Sequence, residues 1–342
     1  MKLIKRIIYV AIAAMIMMPT CMISASAVVM TDSYFKYEVN FIRGEATITS
    51  CLTDESDLFV PSYYMDYKIT GIDNYAFENN NTMMTIALPN TIKSINDYAF
   101  RNCKSLKYIT VPETVTYLGK GFCSGCSSLE KVKIIPAVEK VPDSAFEGCV
   151  LLDEVELNSS VHTIGQSAFR GCSSFSDSAI FENVTSVERI AFYQSGLGNA
   201  DISEGLTSIY DYTFAGCANL NRVNVPKSVS FIDRLAFSGS NNLTLGVWYD
   251  SYAYHYAIEN SINYTLLDGV KLGDVNGDGY VNINDVTQIQ RHLAEMEQLE
   301  GIYLHAAEAN QDGTLNISDA TTLQRYIAGY ESPALIGEVM TQ

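Results

Sequence analysis

Positive charge is scarce in this chain of 342 residues, and histidine is scarcer. Lys and Arg total 22 against 39 Asp and Glu, a net charge of −17, with only four histidines. A field of that sign repels nucleic acid and anionic lipid, and it favours solubility and bound cations. The histidines, His162, His255, His292 and His305, are scattered, so neither a histidine-rich zinc site nor a histidine-based catalytic group assembles from them. After residue 18 no apolar stretch is long enough to cross a bilayer. Carboxylates are numerous enough for a glycosidase-type acid pair, but acids spread over repeated surfaces read first as a solvated face.

The only long apolar run is N-terminal. Lys2, Lys5 and Arg6 precede Ile7 to Met18, and Ala25-Ser26-Ala27 offers small residues for cleavage. Residues 1–27 thus read as a secretory signal peptide, and the protein as exported. Cys21 raises a lipoprotein alternative, for which Met18-Pro-Thr-Cys21 is a poor lipobox. Loss of the segment takes the net charge from −17 to −20.

From Ile69 to Gly239 the sequence repeats. Phe77, Phe100, Phe122, Phe146, Phe169, Phe192, Phe214 and Phe237 recur every 22 to 24 residues. The frame around them is clear in Ile95-Asn-Asp-Tyr-Ala-Phe100-Arg-Asn-Cys103-Lys-Ser-Leu106-Lys-Tyr-Ile109-Thr-Val111-Pro112 and returns at Ile209 to Pro226. Such a period with fixed apolar slots predicts a leucine-rich-repeat solenoid, because one unit cannot bury its apolar face without neighbours. Leu106, Ile109 and Val111 should face inward from a short parallel strand. The Ala-Phe segments should form an irregular or helical return wall, with their rings in a column. The frame resembles the BspA-like leucine-rich repeats of bacterial surface and secreted proteins. That resemblance covers roughly 30–268, with a capping hairpin within 28–68 (Phe35 to Thr49, turning near Arg43-Gly44) and repeats over 69–268. Ser251 to Asn260, then Ile262 to Leu267, resemble its closing helix and last strand. It implies adhesion or protein binding.

Cys103, Cys126, Cys149, Cys172 and Cys217 share one slot of the frame, which predicts a ladder of small buried apolar side chains. Disulfides between neighbours are permitted in an exported protein without being required. Cys123-Ser-Gly-Cys126 has redox or zinc spacing, yet no second pair and no βαβ context accompanies it.

Residues 269–342 carry the most specific pattern. Asp274, Asn276, Asp278, Asn282 and Asp285 occupy positions 1, 3, 5, 9 and 12 of a loop whose sixth residue is Gly279. The pattern returns 34 residues later as Glu308, Asn310, Asp312, Asn316 and Asp319, with Gly313. Alternate oxygens on a curling loop suit a hard cation, and the glycine brings round the position-7 carbonyl, here of Tyr280 and Thr314. Each loop precedes an amphipathic helix, and no helix of similar quality precedes the first loop. Two calcium ions are expected, the second at the less usual Glu308. Tandem half-EF-hands opened by Gly-Asp resemble a type I dockerin, a small all-α module that attaches secreted proteins to the cohesin domains of cellulosome scaffoldins. In that family the cohesin contacts fall on Ile283, Asn284, Gln290 and Arg291 of one half, and on Ile317, Ser318, Gln324 and Arg325 of the other. The resemblance also implies two docking orientations. The linker Leu266 to Leu272 is short and poor in Pro and Thr, which limits the independence of the two modules.

The outward strand positions should be Thr110, Lys133, Glu156, Ala179, Asp201 and Asn224, flanked by Tyr108, Lys131, Glu154, Asp177, Asn199 and Arg222. This row has mixed charge and no aromatic platform for sugar rings, so it suits an unidentified protein ligand better than cellulose. The expectation is a secreted, non-catalytic cellulosome component, held outside the cell through cohesin. A polysaccharide-degrading or peptidase enzyme on this scaffold, and a structural spacer, stay open as alternatives.

Overall fold

A computed structural model describes residues 27–136, 138–330 and 335–340. The expected signal peptide, Ala27 apart, lies outside the described residues. The chain opens with an antiparallel hairpin of Phe35–Asn40 and Glu45–Cys51, with Val28–Thr31 on its outer edge. Alternation dictates its facing: Phe35, Tyr37 and Val39 are buried while Lys36 and Glu38 are exposed. The hairpin continues in parallel into Tyr67–Ile72, so the cap supplies the first rung of a ladder.

The repeats form a solenoid of parallel strands. A five-stranded sheet carries, in spatial order, Asp57–Phe59, Thr85–Ala87, Tyr108–Val111, Lys131–Ile134 and Glu154–Leu157. A four-stranded sheet carries Asn199–Asp201, Arg222–Asn224, Thr244–Val247 and Asn263–Leu266. Two-residue strands such as Ser94–Ile95 and Tyr117–Leu118 build lateral ladders, and the returns between them are turns. Ile109, Val111, Val132 and Ile134 face the core while Tyr108, Thr110, Lys131 and Lys133 face solvent.

One rung of the expected row is missing. Asp177 and Ala179 do not stand on a strand: Ser178–Phe181 forms a single 3-10 turn, capped by the Asp177 side chain accepting from the Ala179 N–H. The local sequence explains it. Where Tyr108–Val111, Lys131–Ile134 and Glu154–Leu157 alternate outward and inward residues, this coil buries Ile180 and Phe181 side by side, a pattern that does not suit a half-buried strand.

The ring column also differs from the expected one. Phe77 N–H donates to Ala99 O, Phe100 N–H to Phe122 O and Cys123 N–H to Ala145 O. Phe122 therefore sits in the alanine slot and Cys123 in the ring slot. Phe77 and Phe100 stack at 4.9 Å, Phe122 meets Phe146 edge-on, and the column resumes through Phe169, Phe192, Phe214 and Phe237. The Cys123-x-x-Cys126 spacing is thus two structural slots falling close together. Two residues past each ring slot the backbone is left-handed, at Asn79, Asn102, Gly125, Gly148, Gly171, Gln194, Gly216 and Gly239 (φ 56 to 79°), which explains the recurrent Gly or Asn before cysteine.

The cysteine slot holds hydrogen-bond donors. Cys103, Cys126, Cys149, Cys172 and Cys217 each place Sγ 3.1 Å from a carbonyl of the preceding coil. Ser240, in the same slot, donates to Phe214 O at 2.8 Å. A small donor is selected there, beyond the small apolar side chain expected. All seven described cysteines are free thiols. Burial pushes those of Cys149, Cys172 and Cys217 up, which keeps them protonated and unreactive.

Helix α1 (Tyr252–Glu259) closes the solenoid, burying Ala253, Tyr254, Tyr256 and Ala257, with Ser251 as its N-cap. Three helices follow: α2 (Ile283–Leu293), α3 (Gly301–Ala306) and α4 (Ile317–Ile327). Among the described residues no helix is long and apolar enough to cross a membrane.

Candidate calcium loops and docking faces

Each loop folds around its own oxygen atoms. In the first, the Asp274 carboxylate accepts from the Gly277 and Gly279 N–H groups, both at 2.9 Å. Asn276 Oδ1 accepts from Asp278 N–H, and Asp278 Oδ1 from Tyr280 N–H. Asn282 caps α2 and donates its amide to the Tyr280 carbonyl. Asp285 closes the loop, accepting from Val275, Asn276 and Asn282 N–H groups at 2.8 to 3.2 Å. The six predicted donors of this loop are therefore drawn together.

The second loop repeats the arrangement 34 positions on. Asn310 Oδ1 accepts from Asp312 N–H, Asp312 Oδ1 from Thr314 N–H, and the Asn316 amide donates to Thr314 O. Asp319 accepts from Asn310 and Asn316. Position 1 differs. Glu308 Oε1 accepts from the Gly313 N–H, matching one of the two bonds of Asp274. The other is absent, since the Gln311 N–H goes to the Glu308 main-chain carbonyl. Gly279 and Gly313 have φ of 86° and 84°, and a Cβ at either would meet no atom within 4 Å. Backbone conformation, and not space, asks for glycine there.

Asp285 and Asp319 are fully buried, and Asp274 is 3% exposed. Burial pushes the Asp285 carboxyl up, three backbone N–H groups draw it down, and the Asp274 charge adds to the upward push. Among the described residues no three acidic, histidine or cysteine side chains converge tightly enough to hold an ion by themselves. In each loop asparagine amide and main-chain carbonyl oxygens complete the set. Oxygen alone, from carboxylate, amide and carbonyl, is the donor chemistry of calcium, and these residues fit it.

Both helices start with a capping box, Asn282 with Asp285 and Asn316 with Asp319, and pack together through Val286, Ile289, Ala320 and Leu323. The opposite faces are open. Ile283 is 57% and Ile317 61% exposed, although both are large and apolar. Asn284, Gln290, Arg291, Ser318, Gln324 and Arg325 are exposed too. The halves are not equivalent: Arg291 pairs with Glu297 at 3.3 Å, and among the described residues Arg325 has no ionic partner.

The chain is matched over residues 60–152 and 139–262 by the family described as BspA type leucine-rich repeat region, in six copies. It belongs to that family. Residues 272–328 match the type I dockerin domain, so this BspA-type protein also carries a dockerin. Type I dockerins bind calcium and take a cohesin as partner. No curated protein matches the sequence. Among solved structures, a leucine-rich repeat protein from Eubacterium ventriosum is 22% identical with a TM-score of 0.45, over 63% of this chain and 50% of that one. One from Bacteroides ovatus is 19% identical (TM-score 0.45; 71% and 77% covered), and one from T. pallidum 23% (TM-score 0.43; 63% and 90%). The chain spans half the length of the Eubacterium ventriosum protein it matches.

Sequence reasoning missed how the BspA-type repeats and the dockerin are joined. The C-terminal segment 335–340 runs back along the linker. Leu272 N–H donates to Glu338 O, Gly337 N–H to Leu272 O, and Met340 N–H to Val270 O. Leu266, in the last strand of the repeats, donates to Met340 O. Ile336 and Met340 are buried, and Tyr249 of the repeat cap meets His305 of α3 at 5.7 Å between ring centres. Burial holds the His305 imidazole below its usual range against an upward pull from Glu308.

Proposed function

We propose that this BspA-type protein is an exported, non-catalytic component of a cohesin–dockerin assembly, bringing its repeat domain to a scaffoldin for protein binding or adhesion. The pair of loop–helix units, alike in their capping boxes and in most of their hydrogen bonds and each closed by a buried aspartate, carries the reading. In it residues 1–27 are the signal peptide, 28–68 and 69–268 the capped repeats, and 269–342 the dockerin with its tail.

The first loop would hold a calcium ion through Asp274, Asn276, Asp278, the Tyr280 carbonyl, Asn282 and Asp285. The second would hold another through Glu308, Asn310, Asp312, the Thr314 carbonyl, Asn316 and Asp319. Bound calcium supplies positive charge that offsets the repulsion among the clustered carboxylates, so its binding adds to the stability that the loop hydrogen bonds already supply. The buried carboxylates of Asp285 and Asp319 hold each loop to the first turn of its helix. α2 and α4 then present Ile283, Asn284, Gln290 and Arg291, or Ile317, Ser318, Gln324 and Arg325, to cohesin.

Calorimetric titration of the mature protein with a panel of type I cohesins, in calcium and then in chelator, tests the reading. Binding that vanishes on chelation supports it. A protein that takes up calcium and binds no cohesin would be a calcium-clamped adhesin instead.

A further inference from the structure

The solenoid's main sheet is interrupted where Ser178–Phe181 replaces a strand. Glu154–Leu157 therefore ends one sheet and Asn199–Asp201 the other. The 3-10 turn packs on Asn199–Asp201, and a cavity of about 350 Å³ lies between the turn and Glu154–Leu157. Leu157 shows what is lacking: its counterparts Val111 and Ile134 are 0% and 1% exposed, whereas Leu157 is only half-buried.

We propose that this missing rung is a docking slot for an extended, basic segment of a partner protein, which adds as a strand alongside Glu154–Leu157. Glu154, Glu156, Asp177 and Glu182 line the cavity, and neither Lys nor Arg does. The chain itself displays the complement on the other edge of that strand. Lys131 and Lys133 stand opposite Glu154 and Glu156 and bond to them, Lys131 at 2.7 Å, while Val132 and Ile134 face the core. A carboxylate has acceptor capacity for a second donor. An incoming Lys-Val-Lys-Ile segment would thus repeat the pairing in mirror position, cover Leu157, and bond through its main chain as in strand addition.

The test uses the full chain and a fluorescein-labelled peptide, Gly-Ser-Lys-Val-Lys-Ile-Gly-Ser, followed by anisotropy. A second peptide carries Glu for both Lys, and a third carries N-methyl groups on alternate amides. Saturable binding of the lysine peptide alone is expected, weakened about two- to fivefold for each pair removed by Glu154→Gln or Glu156→Gln. Both glutamates are exposed, so the variants retain the fold, as circular dichroism would verify. Equal binding of the lysine and glutamate peptides, binding that survives N-methylation or both glutamine changes, or no binding at all would overturn the proposal.

Discussion

Replacing Asp285 by alanine removes the acceptor for three main-chain N–H groups, those of Val275, Asn276 and Asn282. Val275 is 2% exposed, so water does not readily replace the lost partner there. An unsatisfied buried donor costs about 1–3 kcal/mol, and loss of the reciprocal cap on α2 about 1 kcal/mol more. The sum, about 3 kcal/mol, corresponds to a roughly 100-fold rise in local opening. Asp278→Ala is the control. Asp278 is exposed and accepts from Tyr280 N–H and the Asn276 amide, both open to water, so its loss should leave the calcium-free fold intact. Hydrogen exchange of α2 amides in chelator separates the two: faster by about 100-fold in Asp285→Ala and near wild type in Asp278→Ala. Both variants should lose calcium affinity at the first loop. Equal exchange in the two variants would refute the division of the carboxylates into one that builds the loop and one that serves only the ion.

Phe169 contacts Phe146, Phe175 and Phe192, whereas Phe237 near the end of the column contacts Phe214 and Tyr256. Phe169→Ala should cost about 3–5 kcal/mol in urea unfolding, and Phe237→Ala less; the reverse order would contradict a column that couples neighbouring coils. Glu308→Asp should restore the two-bond geometry of Asp274 and tighten calcium at the second loop, read by titration calorimetry; an unchanged affinity would mean that the longer side chain already suffices. Deleting residues 335–342 exposes what Ile336 and Met340 cover, at about 2 kcal/mol for each buried side chain. Helix melting should then precede that of the repeats in a thermal scan, and a single unshifted transition would count against a joining role for the tail.

The repeat was legible because its unit is short and its slots recur, so each coil restates the same physical demand. What stayed hidden was where one coil departs from the rest. Phe122 looks like a ring-slot residue when only phenylalanines are aligned, but its spacings to Phe100 and Phe146 are 22 and 24 residues, around a usual 23. That one-residue slip is the trace of Cys123 taking the ring slot. The strand expected through Asp177 and Ala179 failed for a related reason. Periodicity locates the slot, whereas the adjacent burial of Ile180 and Phe181 decides the conformation in it. In the two dockerin loops the positions whose side chains hold the turns were readable, because each asks for an oxygen-bearing side chain or a glycine at a fixed place. The pairing of the tail with the linker was not, since main-chain hydrogen bonds between distant segments leave little mark on side-chain identity.

That pairing bears on how the repeats would be displayed. Leu266 belongs at once to the last strand of the solenoid and, through Met340 O, to the segment that returns after α4. Gly273 sits where three elements meet: a Cβ there would lie 2.6 Å from Leu323 of α4, 3.1 Å from Val281 of the first loop and 3.3 Å from Ile336 of the tail. The first loop, α4 and the tail are thereby packed against one another at the exit of the linker. A free linker would let a docked protein sweep its repeats through many directions. A linker bonded along Val270 and Leu272 and buried at both ends favours few. With the proposed docking faces on the two halves of the dockerin, the direction in which the interrupted sheet points would then be set by which half engages. Arg291 is already held by Glu297 while Arg325 is not, so the two directions should differ in affinity.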